Sequence, residues 1–252
     1  NFEAFLKLLS QGQITIQDLI TEEVDFAESS EIYISFNSDK KPLSVLLRYD
    51  LKNEPKIQFE KNDITPEKNQ KIKVGVIGAG NFASTTIIPV LKELRRSCQV
   101  LGVSSSGGLS SEALAKNFKI KNKYSTEDEI FESDEIDAVF ILTQHFNHAD
   151  LVIKGINSGK AVYVEKPLAI EVDSITKIEE AMYNAEDPKI FLGFNRRFSE
   201  ASKFIKEKLN TSPANALNFR FSVPKLEKDH WTNIKEIGGG RIVGEAIHAI
   251  DL

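Results

Sequence analysis

The chain has 252 residues, 41% of them apolar, and 32 basic against 37 acidic side chains, a formal net charge of −5. The length suffices for one large domain or two ordinary ones, and the mild acidity disfavours a phosphate backbone, so no nucleic-acid partner is expected. The single cysteine, Cys98, can neither close an intrachain disulfide nor build a thiolate zinc site, and no apolar run approaches the ~20 residues of a membrane helix. A cytoplasmic protein with no membrane partner is expected.

In residues 1–50, Phe2, Phe5, Leu6 and Leu9 recur at helical spacing, and Ile14, Ile16, Leu19 and Ile20 continue an apolar series after Gln11-Gly12. Ile32-Tyr33-Ile34 reads as part of a second helix, and Ser44 to Tyr49 has the content of a short strand. Residues 51–70 hold eight charged side chains, three asparagines, Pro55 and Pro66. They read as a linker, with a surface loop as the alternative. From Lys71 the pattern alternates. Strands are predicted at 73–77, 100–103, 136–142, 161–164 and 189–193. Helices are predicted at 81–95, 110–118 (capped by Ser110 or Ser111), 146–158 and 173–185. Apolar strands alternating with amphipathic helices imply an α/β fold, a doubly wound parallel sheet over residues 71–188. Residues 189–252 open differently: a helix follows Ser199, then Asn215 to Ser222 alternates strictly, as in an open, mainly antiparallel sheet with one solvated face.

Gly78-Ala79-Gly80-Asn81-Phe82-Ala83 follows a strand and opens a helix. A pyrophosphate needs backbone N–H groups, a positive helix end and no intervening Cβ, and this loop supplies all three. Ala83 stands where a third glycine is common, a place that asks only for a small side chain. An acidic residue at the end of the second strand would bind the adenosine ribose, but Ser104-Ser105-Ser106-Gly107-Gly108 occupies that place. Ser105 is the candidate contact there, and NAD versus NADP stays open. At the carboxyl edge of the fourth strand, Glu165-Lys166-Pro167 places an ammonium where ligands bind in such sheets.

Gly78-x-Gly80-x-x-Ala83, Glu165-Lys166-Pro167-Leu168, Gly193 to Phe198 and Gly238-Gly239-Gly240 followed by His248 occur in that order. Over residues 71–252 this resembles the glucose–fructose oxidoreductase / inositol dehydrogenase (Gfo/Idh/MocA) family. The resemblance implies a Rossmann domain binding NAD or NADP, followed by a second α/β domain, and hydride transfer to or from a sugar or polyol hydroxyl. It implies that Lys166 and His248 are catalytic, the lysine near the nicotinamide and the histidine as acid/base. Gly78, Gly80, Asn81, Phe82, Ser105, Thr143, His148, Glu165 and Lys166 are the cofactor candidates. Asn195, Arg196 and Arg197 would line the substrate site. The family often has an aspartate four residues before the histidine; here Gly244 stands there, with Glu245 one residue on, about 100° around a regular helix. Position 244 therefore offers no carboxylate for a proton relay, and Glu245 is retained as a substrate-site candidate. Two alternatives stay open, a non-catalytic nucleotide-binding module and a redox-neutral lyase or glycosidase of the same fold.

Phe5 to Tyr49, especially Ile14 to Thr21 and Val45 to Tyr49, is similar to the tail of a zinc-type alcohol dehydrogenase. That resemblance implies a two-domain fusion of bacterial type, associated with surface polysaccharide synthesis and homo-oligomeric when intact. The chain given would then be a piece cut at both ends.

Other motifs carry less. His145-x-x-His148 has metal-pair spacing without thiolate support, and a loop or helix-start role is the expected one. His230-Trp231 suits a sugar face or core packing. Glu127-Asp128-Glu129 and Glu179-Glu180 read as solvated helix starts or faces.

Overall fold

Residues 2–29, 31–32, 36, 42–49, 71–209, 220, 225–227 and 229–252 are described by a computed structural model of the chain. The chain divides into two units, Asn1–Ile64 and Thr65–Leu252. The helix expected at Tyr33 and Ile34, the linker expected over 51–70 and, Arg220 apart, the strand expected over 215–222 lie outside the described residues.

In the first unit, helix α1 (Phe2–Ser10) precedes a parallel strand pair, β1 (Glu22–Asp25) and β2 (Val45–Arg48). Glu22 sits opposite Val45 and Asp25 opposite Arg48. The Arg48 guanidinium meets the Glu23 carboxylate at 2.6 Å, and Thr21 Oγ1 accepts from the N–H groups of Leu43 and Ser44. β1 was not foreseen because Glu-Glu-Val-Asp shows no apolar alternation.

The second unit is built on six parallel strands: β3 (Ile72–Ile77), β4 (Cys98–Ser104), β5 (Asn122–Tyr124), β6 (Ala138–Ile141), β7 (Ala161–Val164) and β8 (Ile190–Leu192). Their order is β5-β4-β3-β6-β7-β8, the doubly wound Rossmann arrangement, with its switch point between β3 and β6. Strand period decides the two cores. Val74, Val76, Val103 and Leu142 pack beneath helices α2 (Ile88–Glu93) and α3 (Leu109–Phe118). Ile77, Val139, Ile141, Val162 and Val164 face the opposite way, toward α4 (Asp128–Glu132), α5 (His148–Asn157) and α6 (Val172–Asn184). Burial of Val76, Val139, Val164, Ile130 and Ile178 is essentially complete, worth roughly 1.5–3 kcal/mol per side chain relative to exposure.

Local chemistry adjusts the expected boundaries. Neither Ser110 nor Ser111 caps α3: Gly108 takes that position with φ +46°, which a glycine tolerates, and Ser111 Oγ donates back to the Gly108 carbonyl at 2.8 Å. The helical run that begins at Asn81 passes through a π turn, Ala83–Ile87, before α2. After β8 come a 3₁₀ turn (Asn195–Phe198) and α7 (Glu200–Leu209). The C-terminal segment holds α8 (Lys235–Gly238), a second π turn (Ile242–Ala246) and α9 (Ile247–Asp251).

Candidate dinucleotide cleft and active site

The carboxyl ends of β3, β4 and β6 meet at the switch point, and a cleft of about 670 Å³ opens there. Its floor is the loop after β3. Gly78 has φ +103°, and a Cβ on it would stand 2.6 Å from the Leu142 carbonyl oxygen, so the close approach of two strand ends requires glycine. At Gly80 nothing lies within 4 Å of a Cβ, so a side chain there would project into open space. Ala83 is buried against the core beneath α2. Asn81 and Phe82 begin the helical run and line the cleft. The first N–H groups of a helix have no intrahelical partners and are available to an anion.

The opposite wall carries Ser105, Thr143 and Asn147. Ser105 Oγ and Asn147 Oδ1 are buried without a hydrogen-bond partner. Such atoms are costly unless a ligand or water satisfies them. A glycine cradle left open at Gly80, a helix start and two orphaned polar atoms fit a dinucleotide. Asn147 escaped the sequence reading because it matched no motif. Glu127, read there as solvated, also lines the cleft.

His148 ties this cleft to the lysine. Its Nδ1 lies 2.7 Å from the Pro167 carbonyl oxygen and its Nε2 3.1 Å from that of Thr143. The ring is fully buried, which lowers its pKa, and it holds the Thr143 wall against the Lys166-Pro167 turn. It is thus a brace placed beside the cleft. His145 turns its Nδ1 to the Gly238 carbonyl at 2.8 Å and its ring to the edge of Trp231 at 4.7 Å. Burial first, then the charges around it, hold His145 near pKa 4. Both histidines of the H-x-x-H pair are therefore engaged by backbone carbonyls. Among the described residues no group of three or more His, Cys, Asp or Glu side chains could hold a metal.

Lys166 extends from the end of β7, and its Nζ donates to the Gly244 carbonyl at 2.8 Å. Burial pulls its pKa below the ordinary ammonium value, while the carboxylates of Glu165 and Glu245 act in the opposite direction. His248 follows on α9 and is 8% exposed; its Nδ1 is buried without a partner. Burial, with the positive charges of Lys166 and Arg196, holds it near pKa 4. Lys166 thus holds the carbonyl of Gly244, four residues before His248 on the turn that leads into α9. The Ile242–Ala246 π turn departs from the regular helix on which the 100° argument about Glu245 rested. Glu245 pairs with Arg241 at 2.7 Å, and its charge reaches Lys166.

The remaining candidates fall around this pair. Glu165 accepts from Tyr163 Oη at 2.7 Å, and burial raises its pKa. Arg197 is bound by the Asp251 carboxylate and stacks over Phe194, so it ties the Asn195–Phe198 turn to α9. Phe194 in turn meets His248 edge-on at 6.1 Å. His230 engages Thr232 Oγ1 at 2.8 Å and caps the turn that carries Trp231 into the cleft lining.

Comparison with known proteins agrees with the Rossmann fold of this unit. Residues 72–192 match the Gfo/Idh/MocA family model, described as an oxidoreductase family with an NAD-binding Rossmann fold. Inositol 2-dehydrogenase/D-chiro-inositol 3-dehydrogenase of Lacticaseibacillus casei is 29% identical over 141 residues, covering 56% of this chain and 40% of that protein. Oxidoreductase P35 of Formosa agariphila is 26% identical over 192 residues, 72% of this chain and 59% of its own length. The crystal structure of myo-inositol dehydrogenase from Lactobacillus casei with NAD(H) and myo-inositol superposes with a TM-score of 0.54 at 28% identity, over 56% of this chain and 42% of that one. KijD10, a 3-ketoreductase from Actinomadura kijaniata solved with NADP and TDP-benzene, has the same fold, with a TM-score of 0.62 at 19% identity over 72% and 56% of the two chains. The chain spans between two fifths and three fifths of the length of these proteins.

Proposed function

From a Gfo/Idh/MocA-type NAD-binding Rossmann domain at residues 72–192, we propose that the chain carries the nucleotide site and the proton-handling pair of an oxidoreductase acting on a sugar or polyol hydroxyl. What supports the proposal is the hydrogen bond from Lys166 to the Gly244 carbonyl, on the turn that leads to His248, next to the wall that His148 braces against the glycine-loop cleft.

When bound, a nicotinamide supplies the hydride acceptor or donor. Gly78, Gly80, Asn81 and Phe82 would hold its pyrophosphate and Ser105 its adenosine side, with Thr143 and Asn147 on the wall that leads toward Lys166. His248, on α9 just after the turn that holds Lys166, takes the hydroxyl proton. Lys166 donates a hydrogen bond to the oxygen as it becomes a carbonyl, and the same groups return the proton in the reverse direction. One preorganised donor of this kind is worth roughly 3 kcal/mol, and general-base action about 10²–10⁴-fold. Asn195 and Arg196 approach from the turn after β8, and Trp231 offers an aromatic face. These residues line the substrate pocket of a homo-oligomer in this reading. We further propose that Phe5 to Tyr49 is the tail of a zinc-type alcohol dehydrogenase domain fused to the Rossmann unit, and with it a role in surface polysaccharide synthesis; the proposal rests on sequence resemblance alone.

Gly244, standing where an aspartate is common, favours one second reading: nucleotide binding without net turnover. Incubation with NAD or NADP and a panel of inositols and sugars separates the two. Accumulation of reduced nicotinamide supports the dehydrogenase, binding without reduction supports the module, and no binding overturns both.

A further inference from the structure

The cleft's adenosine side has an unusual charge arrangement. Strand β4 ends at Ser104 with no acidic residue after it, and Ser105, Ser106 and Ser110 line the wall instead. A run of hydroxyls is indifferent between a ribose 2′-hydroxyl and a 2′-phosphate, since serine can donate to either. Discrimination must come from charge. Among the residues that line the cleft there is no lysine or arginine, and the one ionised side chain is Glu127, just before α4. Its nearest cation does not neutralise it. Lys154 lies 3.8 Å from Glu127 but 2.7 Å from Asp128, so one ammonium serves two carboxylates and a negative charge remains.

We infer that Glu127 is the residue that selects NAD over NADP, supplying from the start of α4 the negative charge that the end of β4 lacks. The inference rests on the dinucleotide reading and sharpens it. A dianionic 2′-phosphate entering the cleft meets the Glu127 charge and no lysine or arginine among the lining residues, whereas a 2′-hydroxyl meets serine oxygens, of which Ser105 Oγ is buried and unpartnered. Specificity here is built by repulsion of the wrong ligand rather than by added attraction for the right one. It escaped sequence-level notice because the discriminating charge lies on the third strand–helix loop, not the second.

The chain carries its own probe. Trp231 is the single tryptophan and lines the same cleft, so titration with NADH and with NADPH can be followed by quenching of its emission. At low salt NADH is expected to bind about tenfold tighter or more, with the gap shrinking as salt rises. In Glu127→Gln the gap should close severalfold through tighter NADPH binding, and in Glu127→Lys it should invert. Glu127 is 43% exposed, so neither substitution disturbs the core. NADPH binding as tightly as NADH in the parent chain overturns the inference, as does a gap that Glu127→Gln leaves unmoved. Quenching by neither nucleotide overturns the dinucleotide reading itself, which is a separate failure.

Discussion

Lys166 Nζ donates to the backbone carbonyl of Gly244 at 2.8 Å, so the ammonium that ends β7 is held by the π turn that leads into α9. The carbonyl oxygen of that turn orients the amine without transferring a proton. π turns recur at functional sites because they displace carbonyls from the regular ladder.

Replacing Lys166 by methionine keeps the length of the side chain and removes the donor. Turnover should fall roughly 100-fold or more, with dinucleotide affinity changed by no more than a few-fold. Steady-state rates and a nucleotide titration on the same preparation check this. A variant that turns over normally would remove Lys166 from the mechanism.

The two glycines of the loop should fail in different ways. Gly78→Ala forces a Cβ to within 2.6 Å of the Leu142 carbonyl at a φ of +103°, and should cost about 1–3 kcal/mol of stability. Gly80→Val meets open space, so it should fold normally and lose nucleotide binding. Thermal melts with and without NADH distinguish them: the first variant melts early, and the second melts normally but gains nothing from the ligand.

Acid should loosen the junction between the Rossmann core and the C-terminal segment. His145 and His248 are held near pKa 4 against an ordinary 6.5, so between those values the unfolded chain binds protons that the folded chain refuses. Stability contributed by their neutral forms is complete above about pH 6.5 and is lost as pH falls toward about 4. Glu165, whose pKa is raised by burial, works in the opposite sense and reduces the slope. In His145→Asn an amide can still donate to the Gly238 carbonyl without titrating. Urea midpoints at about pH 7 and about pH 5 should therefore differ less in that variant than in the parent chain. Equal losses would contradict the assignment.

Much of this was legible in the residues. Apolar runs at 73–77, 136–142 and 161–164 announced buried parallel strands, because both faces of such a strand need apolar side chains. The glycine loop and Glu165-Lys166-Pro167 stand out because their spacing is tied to backbone chemistry. β5 was missed, since Asn122-Lys123-Tyr124 is short and polar and is held by its neighbour β4. Pairings such as Lys166 with Gly244, His145 with Gly238 and Arg197 with Asp251 span 54 to 93 residues. No local pattern encodes them. The effect of Gly244 on Glu245 was argued from a regular helix, and only the π turn reveals that the backbone there is not regular.

The most direct measurement follows the imidazole of His248 by NMR across an acid titration, in the parent chain and in Lys166→Met. Held down by burial first and then by the lysine charge, His248 should titrate near pH 4, and removing that charge should move its midpoint upward. A midpoint near the ordinary 6.5, or one that Lys166→Met leaves where it was, would mean that the ammonium and the imidazole do not share a site.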